Sequence, residues 1–134
     1  MDIKVDNSIR IPTSIDTNFF KFWLDAIQPF HNFTSRQKDI AAAMLKKRFE
    51  LSKRITDTET LDKVSLSIES KKEVMAELGV TSSFFNVVFS VLKSRGFIKN
   101  GRINPRFIPN IKTDAKGFKL LFYFEFIDSK DGAQ

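Results

Sequence analysis

Residues Glu69 to Ile98 read E-S-K-K-E-V-M-A-E-L-G-V-T-S-S-F-F-N-V-V-F-S-V-L-K-S-R-G-F-I, and the two glycines in this run divide it. Before Gly79 the spacing predicts a short helix, capped by Ser70 with Glu73 as its capping-box partner and with Val74, Met75 and Leu78 turned inward. Gly79 supplies the left-handed residue that ends this helix, and Thr81 or Ser82 caps the next one. The second helix must stop at Gly96. Beyond it the period changes to two: Phe97-Ile98-Lys99, Asn100-Gly101 and Arg102-Ile103-Asn104 form a hairpin signal, because Asn-Gly fits the two positive φ values of a type I′ turn.

Two helices joined by a short Gly-containing turn are the helix-turn-helix pattern. With the hairpin as its wing, the stretch resembles a winged helix-turn-helix. That resemblance implies a second helix lying in the major groove of DNA with polar and basic residues on base edges and phosphates. Aligned in this way, Ser82, Ser83, Phe84, Asn86, Val87, Ser90 and Val91 turn outward, and Phe85, Val88, Phe89 and Leu92 face the core. No Arg or Lys lies on the first three turns, and Phe84, Val87 and Val91 make an apolar stripe where phosphates would sit. Such a stripe marks a protein interface better than a nucleic-acid groove.

The chain has 134 residues, 42% hydrophobic and 28% charged, which suits a single α+β domain with one core. Fifteen Phe supply large area for that core or for contacts with neighbours. With no Cys and one His, disulfides and thiolate chemistry are excluded and an ordinary transition-metal site nearly so. No segment reaches the length of a membrane helix, and the first residues lack the apolar core of a signal peptide. The chain is therefore expected to be soluble, not secreted by a signal peptide and without membrane partners. The net charge of +6 is concentrated: between Lys93 and Lys119 eight basic residues face one acid, Asp114. An acidic partner such as nucleic acid is one implication.

The rest of the chain divides by composition. Residues 1–13 read as an extended arm, alternating weakly through Ile3, Val5, Ile9 and Ile11. A helical body follows over 17–68. Asp16 or Thr17 caps a first helix whose Phe19, Phe20, Phe22, Trp23, Leu24 and Ile27 are too many for one narrow stripe. It ends before Pro29. His31 lies in a loop with no nucleophile or carboxylate motif and reads as a surface or partly packed residue. Thr34 and Gln37 open the longest helix with a capping box, and its far face carries Lys38, Lys46, Lys47, Lys53 and Arg54 as a solvated face. Thr56-Asp57-Thr58-Glu59 restarts a short helix through about Val64, and Leu66 and Ile68 could form a short strand. After the helix-turn-helix and wing at 69–104, Pro105 and Pro109 limit pairing of the next segment. In 105–128 a C-terminal strand is expected at Phe118 to Ile127, apolar on both faces, and 129–134 is a tail.

No Gly-rich phosphate loop, H-E-x-x-H, G-x-S-x-G or paired-carboxylate arrangement is present, so no catalytic or metal-binding residue and no cofactor is expected. Glu59, Asp62, Glu69, Glu73 and Glu77 read as helix-start or exposed-face acids. The run from Lys72 through Pro109, especially E-L-G-V-T-S-S-F-F and S-R-G-F-I-K-N-G-R-I-N-P-R-F-I-P, resembles small winged-helix proteins of crAss-like tailed phages infecting Bacteroidales. The I-N-P after the wing is also similar to the end of the winged domain in plasmid replication proteins. The phage resemblance implies a structural virion component, such as a connector or tail-ring subunit, or else a regulator. As an assembly protein the chain would contact other subunits, its own copies or phage structural proteins, through Phe84, Val87, Val91, Leu121, Tyr123 and Ile127. As a double-stranded DNA binder it would use Ser82, Ser83 and Asn86 on bases and Lys99, Arg102, Arg106 and Lys112 on phosphates.

Overall fold

A computed structural model describes residues 4–112 and 114–128. Five helices follow one another: α1 (Thr17–Ala26), α2 (Ser35–Ser52), α3 (Thr58–Ser65), α4 (Ile68–Leu78) and α5 (Ser82–Ser94). A two-stranded antiparallel sheet of β1 (Ile98–Lys99) and β2 (Arg102–Ile103) comes next, with Ile98 opposite Ile103 and Lys99 opposite Arg102. Helical structure with a small sheet near the C-terminal end makes this an α+β chain.

The centre is α2. Thr34 caps it with the full capping box, its hydroxyl accepting from the Gln37 N–H while the Gln37 side chain accepts from the Thr34 N–H. From Ile40 to Leu45 every residue is buried, including three consecutive alanines. A helix enclosed all round at this level needs neighbours on each side. α1, α3, α4 and α5 supply them. Small side chains at Ala41, Ala42 and Ala43 leave room for Phe20 and Leu24 of α1, Val74 of α4, and Phe85, Val88 and Leu92 of α5, all in one core cluster. α1 is capped by Asp16 and ends before Pro29, with a 3-10 turn over Gln28–Phe30.

His31 is buried, contrary to the surface reading. Its Nε2 lies 2.7 Å from the Leu24 carbonyl oxygen, and its Nδ1 lies 2.9 Å from the Phe33 N–H, which donates to it. Accepting at Nδ1 requires Nε2 to carry the proton, so the ring is held as one neutral tautomer. It stacks on Phe33, with ring centroids 4.2 Å apart, and so fastens the turn after α1 to the core. Both partners are near in sequence, Leu24 seven residues before and Phe33 two after, so the contact belongs to the turn itself.

The α4–α5 unit agrees with the glycine reading and corrects its cap. Gly79 has φ 64 and ψ 33, and Thr81 caps α5 by accepting from the Phe84 N–H. The two helix axes turn by 112° at this break, inside the range of a helix-turn-helix. The cap of α4 is Ser67, one turn earlier than Ser70. Ser70 is buried, and its hydroxyl donates to the Val64 carbonyl at 2.7 Å, so it is used to tie α4 to α3. α4 starting at Ile68 also removes the short strand expected at Leu66 and Ile68: Leu66 closes α3.

Past α5 the hairpin turn has φ 56 at Asn100 and φ 73 at Gly101, as type I′ geometry demands. Phe97, Ile98 and Ile103 are buried, which plants the hairpin on the core. Pro105–Phe107 forms a 3-10 turn, and the Phe107 carbonyl accepts from the Trp23 indole N–H at 2.8 Å. The C-terminal strand expected at Phe118 to Ile127 does not form: residues 117–128 carry neither helix nor strand. A strand needs a ladder partner, and among the described residues none is beside it. Residues 4–14 of the N-terminal arm are likewise irregular. Residues 1–3 of that arm and the tail 129–134 lie outside the described residues.

The buried His31 sets a pH dependence. Burial pushes its imidazole below the ordinary value of 6.5, with the Leu24 carbonyl opposing and Lys38 adding to the shift. The folded state therefore stays neutral in acid where the unfolded chain already takes the proton, and stability present above pH 6.5 falls as the pH drops through 6.5 towards the lower folded value. In an NMR titration the His31 ring protons should move with a midpoint below 6.5; a midpoint at or above it contradicts this environment.

Candidate interaction surfaces

α5 carries the residues on which the two functional expectations turned. Its exposed face is Ser82, Ser83, Asn86, Val87, Ser90, Lys93 and Ser94, whereas Phe85, Val88 and Leu92 are buried. The apolar stripe is thus narrower than the alignment suggested. Val87 remains 66% exposed, but Phe84 is half-buried against the core, with the Arg36 guanidinium 5.7 Å from its ring centroid. Val91 is half-buried too. The reason is the width of the contact: the first turn of α5 is overlain by the start of α2, which brings Arg36 across Phe84. What is left is a mostly neutral, hydroxyl- and amide-bearing surface with one valine in it.

The basic residues fall into two groups. Of the expected solvated face, Lys53 and Arg54 stay exposed, whereas three lysines of α2 are paired. Lys46 reaches Glu77 at 2.6 Å, Lys47 pairs with Glu73, and Lys38 pairs with Asp25 at 2.7 Å. The Glu77 carboxylate holds Lys46 above its ordinary value. These pairs clamp α4 and α1 to α2, and because they stand at the surface each contributes about 0–1 kcal/mol. Glu73 and Glu77 are thus partners of α2 and not merely exposed acids.

Asp62 differs most from its sequence reading. It is 8% exposed on the inner side of α3, where Arg48 of α2 donates to Oδ1 from Nε at 3.3 Å and Nη2 at 3.1 Å. Arg102 of the hairpin stands 3.6 Å from Oδ2. One carboxylate therefore joins α2, α3 and β2. The signal for it in the sequence was the position of Asp62 beside Leu61 on the apolar side of α3, but nothing local named its arginines. Above it lies a cleft lined by Phe49, Ser52, Asn110 and Ile111 among others.

Among the remaining cations, Lys93, Lys99 and Lys112 are exposed, and their ammonium groups make no ion pair or hydrogen bond among the described residues. Arg106 lies over the Phe30 ring at 5.9 Å, and Arg95 donates to the Asn32 carbonyl at 2.7 Å. So of the four expected phosphate contacts, Lys99 and Lys112 have no partner of their own in the described chain, Arg106 sits against an aromatic ring, and Arg102 is shared with Asp62.

The largest exposed apolar surface is elsewhere. In the C-terminal arm, Leu120, Leu121, Phe122, Tyr123, Phe124, Phe126 and Ile127 are all exposed, Tyr123 at 82% and Phe126 at 96%. Phe118 is anchored, edge-on to Phe19 and Trp23 with centroids 5.6 and 5.7 Å apart. Of the expected interface residues, Leu121, Tyr123 and Ile127 lie on this arm. The arm is anchored on α1 through Phe118, and Val87 stands on the exposed side of α5.

Replacing Asp62 by Asn should lower stability by roughly 1–3 kcal/mol in urea unfolding, because Arg48 loses its charged acceptor in a partly buried place. Arg102→Ala should cost about 0–1 kcal/mol, since that arginine is the exposed partner. An Asp62→Asn chain as stable as wild type would remove the carboxylate from its joining role.

No protein-family model matches the chain, and neither a curated protein nor a solved structure matches it.

Proposed function

We propose that this chain is a non-enzymatic assembly protein, a winged-helix body that joins a larger protein structure through its C-terminal arm. The observation that carries the reading is the exposure of seven large apolar side chains between Leu120 and Ile127, on a segment with no ladder partner among the described residues. Isolated soluble proteins rarely leave a contiguous apolar patch of this kind uncovered. Burial of such area is worth about 25 cal/mol per Å², so a few aromatic residues supply several kcal/mol towards association. The resemblance to crAss-like phage proteins gives the structure being built: a virion part such as a connector or tail ring.

A second reading has its own support. The exposed face of α5 consists of Ser82, Ser83, Asn86 and Ser90 around Val87, beside the unpaired Lys93 and Lys99. In a winged helix-turn-helix this is the groove-facing side, and small polar groups there can meet base edges while the lysines hold phosphates. With few cations, binding of that kind would be weak and salt-dependent.

Light scattering during size exclusion separates the two. The assembly reading expects wild type to form multi-chain species and Phe124→Asp/Phe126→Asp to remain folded, by circular dichroism, with the 15.4 kDa mass of one chain. A wild type of single-chain mass at every concentration, with a DNA mobility shift lost in Lys93→Ala/Lys99→Ala, would favour the DNA reading instead.

A further inference from the structure

In the cleft above Asp62 an apolar floor meets guanidinium donors that the fold leaves unused. The cleft has a volume of about 360 Å³, inside the roughly 300–1,000 Å³ range of small-molecule sites. Phe20 and Leu45 line it from the buried core, with the half-buried Phe49, Ile108 and Ile111 around them. Its charged lining is Arg48, Asp62 and Arg102, an excess of one positive charge. The Asp62 carboxylate does not occupy all the donors that face it. Arg48 donates to Oδ1 from Nε and Nη2, whereas Arg102 stops 3.6 Å from Oδ2, too far for a hydrogen bond. The guanidinium of Arg102 therefore makes no hydrogen bond among the described residues, and it is the half-exposed member of the cluster, with Asp62 and Arg48 deeper. The exposed Asn110 carboxamide, also in the lining, has no hydrogen bond among the described residues either.

We infer that this cleft binds a small organic monoanion, a carboxylate carried on a compact apolar body. The lining selects that chemistry. The planar fork of Arg102 matches a carboxylate through two parallel N–H···O bonds. One surplus positive charge answers one negative charge, and the phenylalanine and isoleucine side chains take the apolar body. A phosphate monoester brings about two negative charges at neutral pH, so it would leave charge uncompensated beside Asp62. An amine is opposed by both arginines. Binding here has a structural consequence, because Arg48 belongs to α2, Asp62 to α3 and Arg102 to β2, while Ile108 and Ile111 lie on the stretch that leads on to the C-terminal arm. A carboxylate held by Arg102 therefore fastens the hairpin and that stretch to the helical body. The inference is independent of the assembly reading, which concerns the arm beyond.

NMR titration of the isotope-labelled full-length chain with phenylacetate tests the site. Saturable shifts are expected at the Arg102 side chain and at the Ile108, Asn110 and Ile111 amides. Phenylacetamide has nearly the same shape without the charge, and it should bind at least about tenfold more weakly. Acetate, which has the charge without the ring, should give no saturable shift at these amides. Arg102→Ala should lose affinity for phenylacetate by about the same factor as the amide does, with its circular dichroism unchanged. If that variant does not fold, the comparison of phenylacetate with phenylacetamide on wild type decides alone. Equal binding of phenylacetamide, or a folded Arg102→Ala chain with wild-type affinity, overturns the carboxylate assignment. Acetate binding as tightly as phenylacetate overturns the role of the apolar floor. No saturable response to phenylacetate overturns the site, and none of these results bears on whether the chain assembles.

Discussion

Six consecutive buried residues in the middle of α2, Ile40 to Leu45, are the constraint on which the other elements depend. A helix with no solvent face along more than one turn must be surrounded, and the alanines at 41, 42 and 43 let its neighbours come close enough to do so. α1 closes one side with Phe20 and Leu24. The turn at Gly79 folds α4 and α5 against α2 at 112° to each other, so that Val74 and the Phe85, Val88 and Leu92 stripe reach the same core. Ion pairs from Lys46 and Lys47 to α4, and the Arg48–Asp62–Arg102 cluster, fix the rim of this arrangement. The hairpin then seats Phe97, Ile98 and Ile103 on the core and leaves Lys99 outside.

How much of this could be read from the sequence follows from how far each interaction reaches. Caps and turns are local, and Asp16, Thr34, Gly79, Thr81 and Asn100-Gly101 all act as their residue types predict. Ser70 misled because S-x-x-E at 70–73 imitates a capping box, while the hydroxyl is in fact turned back to the Val64 carbonyl and Ser67 caps instead. Asp62, Lys46 and Lys47 are defined by partners 14 to 31 residues away on other helices, and no periodicity encodes those; His31 binds within seven residues, but in a turn whose geometry no motif announces.

The candidate surfaces were legible only in part. Helical spacing put Val87 outside correctly, but it placed the half-buried Phe84 there as well, because the alignment could not include Arg36 at the start of α2 lying across its ring. For the C-terminal arm the two-faced apolar pattern was plain, and so was its need for cover. What a pattern cannot carry is the partner: a strand is a relation between two segments, and within the described residues the second segment is not beside the first. The contrast between a packed body and exposed apolar side chains on its C-terminal arm is accordingly the centre of the functional account.

Hydrogen–deuterium exchange followed by mass spectrometry, at a dilute and a concentrated sample of wild type, tests that separation most directly. Peptides from α2 and α5 should be protected in both samples, and the peptide spanning Leu120 to Ile127 should exchange freely when dilute and become protected when concentrated. An arm that exchanges freely at every concentration, or one already protected in the single chain, would contradict the account.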